Sequence, residues 1–136
     1  MKTRPVSAPT ARSYDPMAVA VGALRCASGV SFLIAPGVAN RLWGDTEDPG
    51  PTASLLLRSM GYRDALVGAM LLRTGLRDGG AATGWFLASA GADAADLVGG
   101  LANHRRMMPT QARRGLAGAA LGIAVGLFGA WRATRR

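Results

Sequence analysis

Four apolar stretches, residues 17–36, 53–73, 81–102 and 113–131, alternate with short polar segments rich in Gly, Pro and Arg. Each is about 20 residues long, which suits a helix crossing a ~30 Å hydrocarbon core. Their inner pattern repeats. The first reads Gly22-x-x-Arg25-x-x-x-Gly29 and the second Gly61-x-x-Asp64-x-x-x-Gly68. The third reads Asp93-x-x-Asp96-x-x-x-Gly100 and the fourth Gly115-x-x-Gly118-x-x-x-Gly122. Positions i, i+3 and i+7 share one helix face, so each helix is expected to pack through a narrow face of small residues. The fourth stretch also spaces Gly118, Gly122 and Gly126 at intervals of four, a pattern that predicts close helix contact, either within the bundle or between copies.

Punctuation sets the boundaries. Pro16 suits a first helical turn, and Pro36-Gly37 reads as the end of the first stretch. Residues 41–51 read as a turn-rich loop carrying Asp45, Glu47 and Asp48. Thr74-Gly75 through Gly79-Gly80 reads as the next turn, and Asn103 to Thr110, with Pro109, as a basic linker. The predicted fold class is all-α: an integral membrane four-helix bundle, up-down-up-down, over residues 16–132. A disordered basic tail is expected over 1–15 and a short basic tail over 133–136. The alternative, a soluble four-helix bundle, would need a broad charged outer face on each helix, and no stretch has one.

Composition points the same way. Apolar residues make up 49% of the 136 and charged residues only 18%, below the ~25% usual for soluble domains. Trp43, Trp85 and Trp131 fall at stretch edges, where amphipathic rings favour the membrane interface. The net charge is +8, and most of the Arg flank the apolar stretches. With no aromatic-interleaved basic stripe and no recognition motif, nucleic acid is not an expected partner. Eight Lys and Arg on the side of both termini against five on the other favour cytoplasmic termini in the inner membrane. Cys26 is the single cysteine, so no internal disulfide is possible, and it reads as a packing residue. His104 sits beside Arg105 and Arg106 and reads as a surface residue.

The chemistry lies in six charges inside the stretches: Arg25, Arg58, Arg63, Asp64, Asp93 and Asp96. A lone charge in lipid costs ~2.5–3.5 kcal/mol even on permissive scales, so equal numbers imply mutual neutralisation. Depth suggests Arg58–Asp96, and Arg25 with Asp93 or Asp64, leaving Arg63 to turn inward or snorkel. In one reading the cluster is structural and fixes helix register. In another it lines a polar site where Asp93, Asp96 or Asp64 acts as catalytic acid or base. A proton or ion path is a third. No His joins Asp93-x-x-Asp96 within the stretches, so no metal and no cofactor is expected.

Arg58-x-x-Gly61-x-Arg63-Asp64-x-x-x-Gly68, Asp93-x-x-Asp96, Arg25 and the Pro ending the first stretch together carry a resemblance. Residues 17–131 resemble an uncharacterised group of small four-span bacterial membrane proteins, loosely related to DoxX-like proteins. The resemblance implies the architecture, and DoxX-like proteins are associated with redox-linked membrane complexes. The cysteine pairs and quinone-site motifs of such a role are not evident here. The expected role is that of an accessory or interaction component, with membrane lipids, a membrane protein or a second copy as partners. The alternative is a small membrane enzyme or binding protein for an amphipathic molecule such as an isoprenoid, lipid or polyketide.

Overall fold

The computed structural model describes residues 14–45, 47–77 and 81–136, and these form five α-helices and one 3-10 turn, with no strand among them. Helix α1 spans Pro16–Ile34. Asp15 caps it: its Oδ1 accepts from the backbone N of Met17 at 3.0 Å and of Ala18 at 3.3 Å, while Pro16 fills the first turn, where no donor is needed. Ala35 precedes a proline and leaves the helical region, which ends α1.

Pro36 does not open a loop. It starts a second, seven-residue helix, α2, Pro36–Leu42, which closes at Gly44 with φ +93°, a conformation that suits glycine. Helix α3, Pro51–Arg77, overruns the expected stretch. Gly75 was expected in a turn but lies within α3, buried against α1, where a Cβ would stand 2.9 Å from both Ala18 Cβ and Val19 N. This glycine serves close approach rather than a turn. Helix α4 is Ala82–Asn103, followed by the 3-10 turn His104–Arg106. Helix α5 is Pro109–Thr134 and begins four residues before the expected span at 113, because Pro109 takes the first helical position. The expected tail over 1–15 lies outside the described residues except for Tyr14 and Asp15, and Asp15 is buried in its capping role.

The long helices associate as two antiparallel pairs. Along α1 and α3 the glycines face one another: a Cβ on Gly22 would lie 2.7 Å from Gly68 O, and one on Gly61 2.6 Å from Gly29 O. Along α4 and α5, a Cβ on Gly126 would meet Ala90 Cβ at 2.8 Å, and Gly129 lies against the ring of Phe86. One apolar cluster joins the pairs, built from Ala18 of α1, Val67 and Leu71 of α3, Ala82 and Phe86 of α4, and Ala130 and Ala133 of α5. It sits at the end of the molecule where Arg136 Nη1 donates to Tyr14 O at 2.7 Å, so the described chain begins and ends on one side.

The glycines expected to pack on the last helix divide within this chain. Gly122 and Gly126 lie in the α4 interface, but Gly115 and Gly118 face outward with open space where a Cβ would be. Steps of four drift about 40° round a helix each time, whereas an interface follows alternating steps of three and four. The face turned to the bundle therefore runs Ala119, Gly122, Gly126, Gly129, Ala130 and Ala133, all buried but the half-buried Gly122.

Candidate functional site

Near the middle of the long helices, five of the six inner charges join in one alternating ladder. Arg25 on α1 is its first hinge. Its Nη1 donates to Asp64 Oδ1 at 3.1 Å, and its Nη2 donates to Asp93 Oδ1. Asp64 Oδ1 also accepts from Nε and Nη2 of Arg63, each at 3.3 Å. Arg63 then reaches α4 with a two-pronged grip: Nη1 donates to Asp96 Oδ1 at 3.0 Å and Nη2 to Asp96 Oδ2 at 2.7 Å. The order is Asp93–Arg25–Asp64–Arg63–Asp96, and it crosses α1, α3 and α4. Helix α5 contributes a gap instead of a charge: the Asp93 carboxylate occupies the space that a side chain at Gly122 would need.

Exposure rises steadily along this order. The side chains are 10, 14, 20, 32 and 41% exposed from Asp93 to Asp96. The ladder therefore has a closed end between α4 and α5 and an open end between α3 and α4. The Asp93 end also holds the one ladder oxygen that is buried without a hydrogen-bond partner among the described residues, Asp93 Oδ2.

Arg58 is not part of the ladder. The expected Arg58–Asp96 pair is replaced by Arg63–Asp96, and Arg58 Nη1 instead donates to Leu33 O at 2.6 Å. Two physical causes account for this. The last carbonyls of α1 lack helical partners, and a basic side chain nearby satisfies one of them. Arg58 also lies about 7.5 Å further along α3 than Arg63, too far toward that helix's start to share a level with Asp96. Arg25 takes both of the partners suggested for it, Asp93 and Asp64. Arg63, with no assigned partner in the sequence, links two carboxylates.

Outside the ladder, polar contacts gather at the other end of the molecule from the apolar cluster. Gln111 Nε2 donates to Asp45 Oδ2 at 2.8 Å and Arg114 Nη1 to Gly44 O at 3.0 Å, tying the segment after α2 to the start of α5. Arg41 and Asp48 form an exposed pair at 2.8 Å. His104 bonds locally to Leu101 O. Cys26 is a half-buried free thiol whose backbone N lies against Gly68. Two open surface concavities of about 410 and 420 Å³ lie elsewhere, one by Arg113 and Arg114, the other by Asp45, Glu47 and Asp48. Among the described residues no group of three or more His, Cys, Asp or Glu is arranged to hold a metal ion.

Asp15 was not among the expected inner charges. Its signal was present in the sequence as an Asp directly before Pro16, the signature of a capped helix start. Ala119 and Gly129 were missed for the reason given for the glycine face.

The chain belongs to the family described as a domain of unknown function, DUF4267, whose model matches residues 22–134. That match includes every member of the ladder, and it carries no link to DoxX-like proteins. No curated protein and no solved structure matches the chain.

Proposed function

We propose that this protein is a small integral membrane protein of the cytoplasmic membrane, a four-helix up-down-up-down bundle with an accessory or interaction role. In this reading the Arg/Asp ladder is a structural clamp between the two helix pairs. The observation that carries it is the inside-out distribution of side chains. Leu24, Leu55, Leu66, Leu87, Val98 and Leu121 stand exposed on the four long helices, while five mid-helix charges turn toward one another. Water would penalise that arrangement, and lipid favours it. Two helices, α1 and α5, are long and apolar enough to cross a membrane, with mean hydropathies of 1.8 and 1.5. Helices α3 and α4 have 27 and 22 residues, and at 1.5 Å per residue they reach about 40 and 33 Å. Their charges depress a hydropathy scan, and the ladder accounts for those charges. The shared side of the two chain ends agrees with termini in one compartment, and the Lys and Arg balance favours the cytoplasm. The resemblance to small four-span proteins, DoxX-like in the loose sense, agrees with this architecture.

Alkaline carbonate extraction tests the reading. The protein should stay with the membrane pellet, and recovery as a detergent-free soluble monomer would end the proposal. An accessory role further requires that a membrane protein or a second copy co-purify in mild detergent.

One observation favours a second reading. The ladder opens at Asp96, whose side chain is the most exposed of the five. An amphipathic molecule, such as an isoprenoid, lipid or polyketide, could reach a carboxylate there, as in a small membrane enzyme or binding protein. Mass spectrometry of small molecules co-purified with the wild type and with Asp96→Asn separates the two. A species lost only in the variant supports this second reading, and its absence supports the clamp.

A further inference from the structure

We infer that the ladder is also a proton-binding site, with one proton held on the Asp93 carboxyl at neutral pH. The inference goes beyond the clamping role and stands on two independent observations. The first is the charge count. Two guanidinium groups, Arg25 and Arg63, face three carboxylates, Asp64, Asp93 and Asp96, which leaves one negative charge uncompensated. Arg58, the sixth charge, is held at Leu33 O, about 7.5 Å along α3 from Arg63, and pairs with none of the ladder carboxylates. An uncompensated carboxylate away from water is costly enough that such groups neutralise by taking up a proton.

The second observation identifies the atom. Asp64 Oδ1 accepts from both arginines, and Asp96 uses both oxygens on Arg63 and is the most open to solvent. Asp93, 7% exposed, accepts from Arg25 through Oδ1 only, and its Oδ2 is buried with no partner among the described residues. The charged groups around it are Arg25 from α1, Asp64 from α3, and Asp96 from its own helix. Helix α5 presents Gly122, and its sequence has no charged residue between Gly115 and Trp131. A proton fits this position better than a metal ion does. A hard cation needs several oxygen ligands, whereas Oδ2 is shut against the α5 backbone, and no cluster of three metal-ligating side chains occurs among the described residues.

Infrared spectroscopy of the full chain in lipid nanodiscs, with ¹³C-labelled aspartate, tests this. The wild type at neutral pH should show a carboxylic-acid C=O band that shifts with the label and in D₂O. In Asp93→Glu the band should remain but lose its response to labelled aspartate. In Asp15→Glu, Asp64→Glu and Asp96→Glu it should keep that response. These variants preserve charge, so the balance that holds the proton is undisturbed. Should Asp93→Glu fail to fold, retention of the response in those three and in Asp45→Glu, Asp48→Glu and Asp78→Glu assigns Asp93 by elimination, since the chain has seven aspartates. No carboxylic-acid band at neutral pH would overturn the inference, as would loss of the label response in a variant of one of the other six aspartates. So would a band that appears only when choline replaces sodium, because a metal ion would then occupy the site.

Discussion

The α1/α3 and α4/α5 pairs both use glycine, yet the glycines face different things. On α1 and α3, Gly22, Gly29, Gly61 and Gly68 meet backbone atoms of the opposite helix: Gly68 lies against the N of Cys26, and Gly29 against the N of Ala65. On α5, Gly126 meets the backbone of Phe86 and Ala90, but Gly122 and Gly129 meet side chains, the Asp93 carboxylate and the Phe86 ring. A backbone cannot move aside without carrying its helix along, whereas a side chain can rotate. The first pair is therefore a backbone seam along its length, and the second combines one such contact with room for two side chains, the Phe86 ring and the Asp93 carboxylate. The ladder grows out of that difference. The seam of α1 and α3 fixes Arg25 beside Asp64, and the gap at Gly122 admits Asp93 from the other pair.

Substitutions rank along this contrast. The largest loss is expected for Gly68→Ala, where the new methyl meets the Cys26 N and would stand 2.8 Å from Gly22 O. We predict a cost of about 3 kcal/mol, the upper end of overpacking effects, read as a fall in thermal or denaturant stability in detergent. A value near zero would mean that the backbones are not in contact. Next comes Asp93→Ala, which strips Arg25 of one partner while Asp64 remains, at an expected cost of about 2 kcal/mol. Gly122→Ala should cost about 1 kcal/mol, because the carboxylate it displaces can move. That loss should largely vanish in an Asp93→Ala background, and strict additivity would show that Gly122 and Asp93 are not neighbours. The smallest effect belongs to Gly118→Leu, which points into open space and should change stability by less than about 0.5 kcal/mol. A large change there would restore the evenly spaced glycine face.

The four long helices and five of the six inward charges were legible because they rest on stretch length and on the cost of lone charges in an apolar setting, whereas the short helix α2 was not. The glycine faces of α1 and α3 were legible too, since Gly22 and Gly29, and Gly61 and Gly68, lie seven residues apart and keep one face, but the pairing of those two faces was not. Partner choice was not. Whether Asp96 meets Arg58 or Arg63 depends on helix rotation and on the unpaired carbonyl of Leu33 at the end of α1, neither of which a one-dimensional spacing encodes. Prolines also misled in one direction. Pro36 and Pro109 look like breaks, yet each opens a helix, because a missing N–H is harmless in a first turn. Gly75 misled likewise, because glycine marks close approach as readily as a turn.

The central claim is that the ladder joins the two helix pairs, and the contact that does so at the open end is Arg63–Asp96. The most direct measurement is a pair of double-mutant cycles on stability in detergent, Arg63→Leu with Asp96→Leu and Arg58→Leu with Asp96→Leu. The account predicts a coupling of about 1 kcal/mol in the first, the high end for a partly exposed pair, and none beyond error in the second. Coupling between Arg58 and Asp96 without coupling between Arg63 and Asp96 would contradict it.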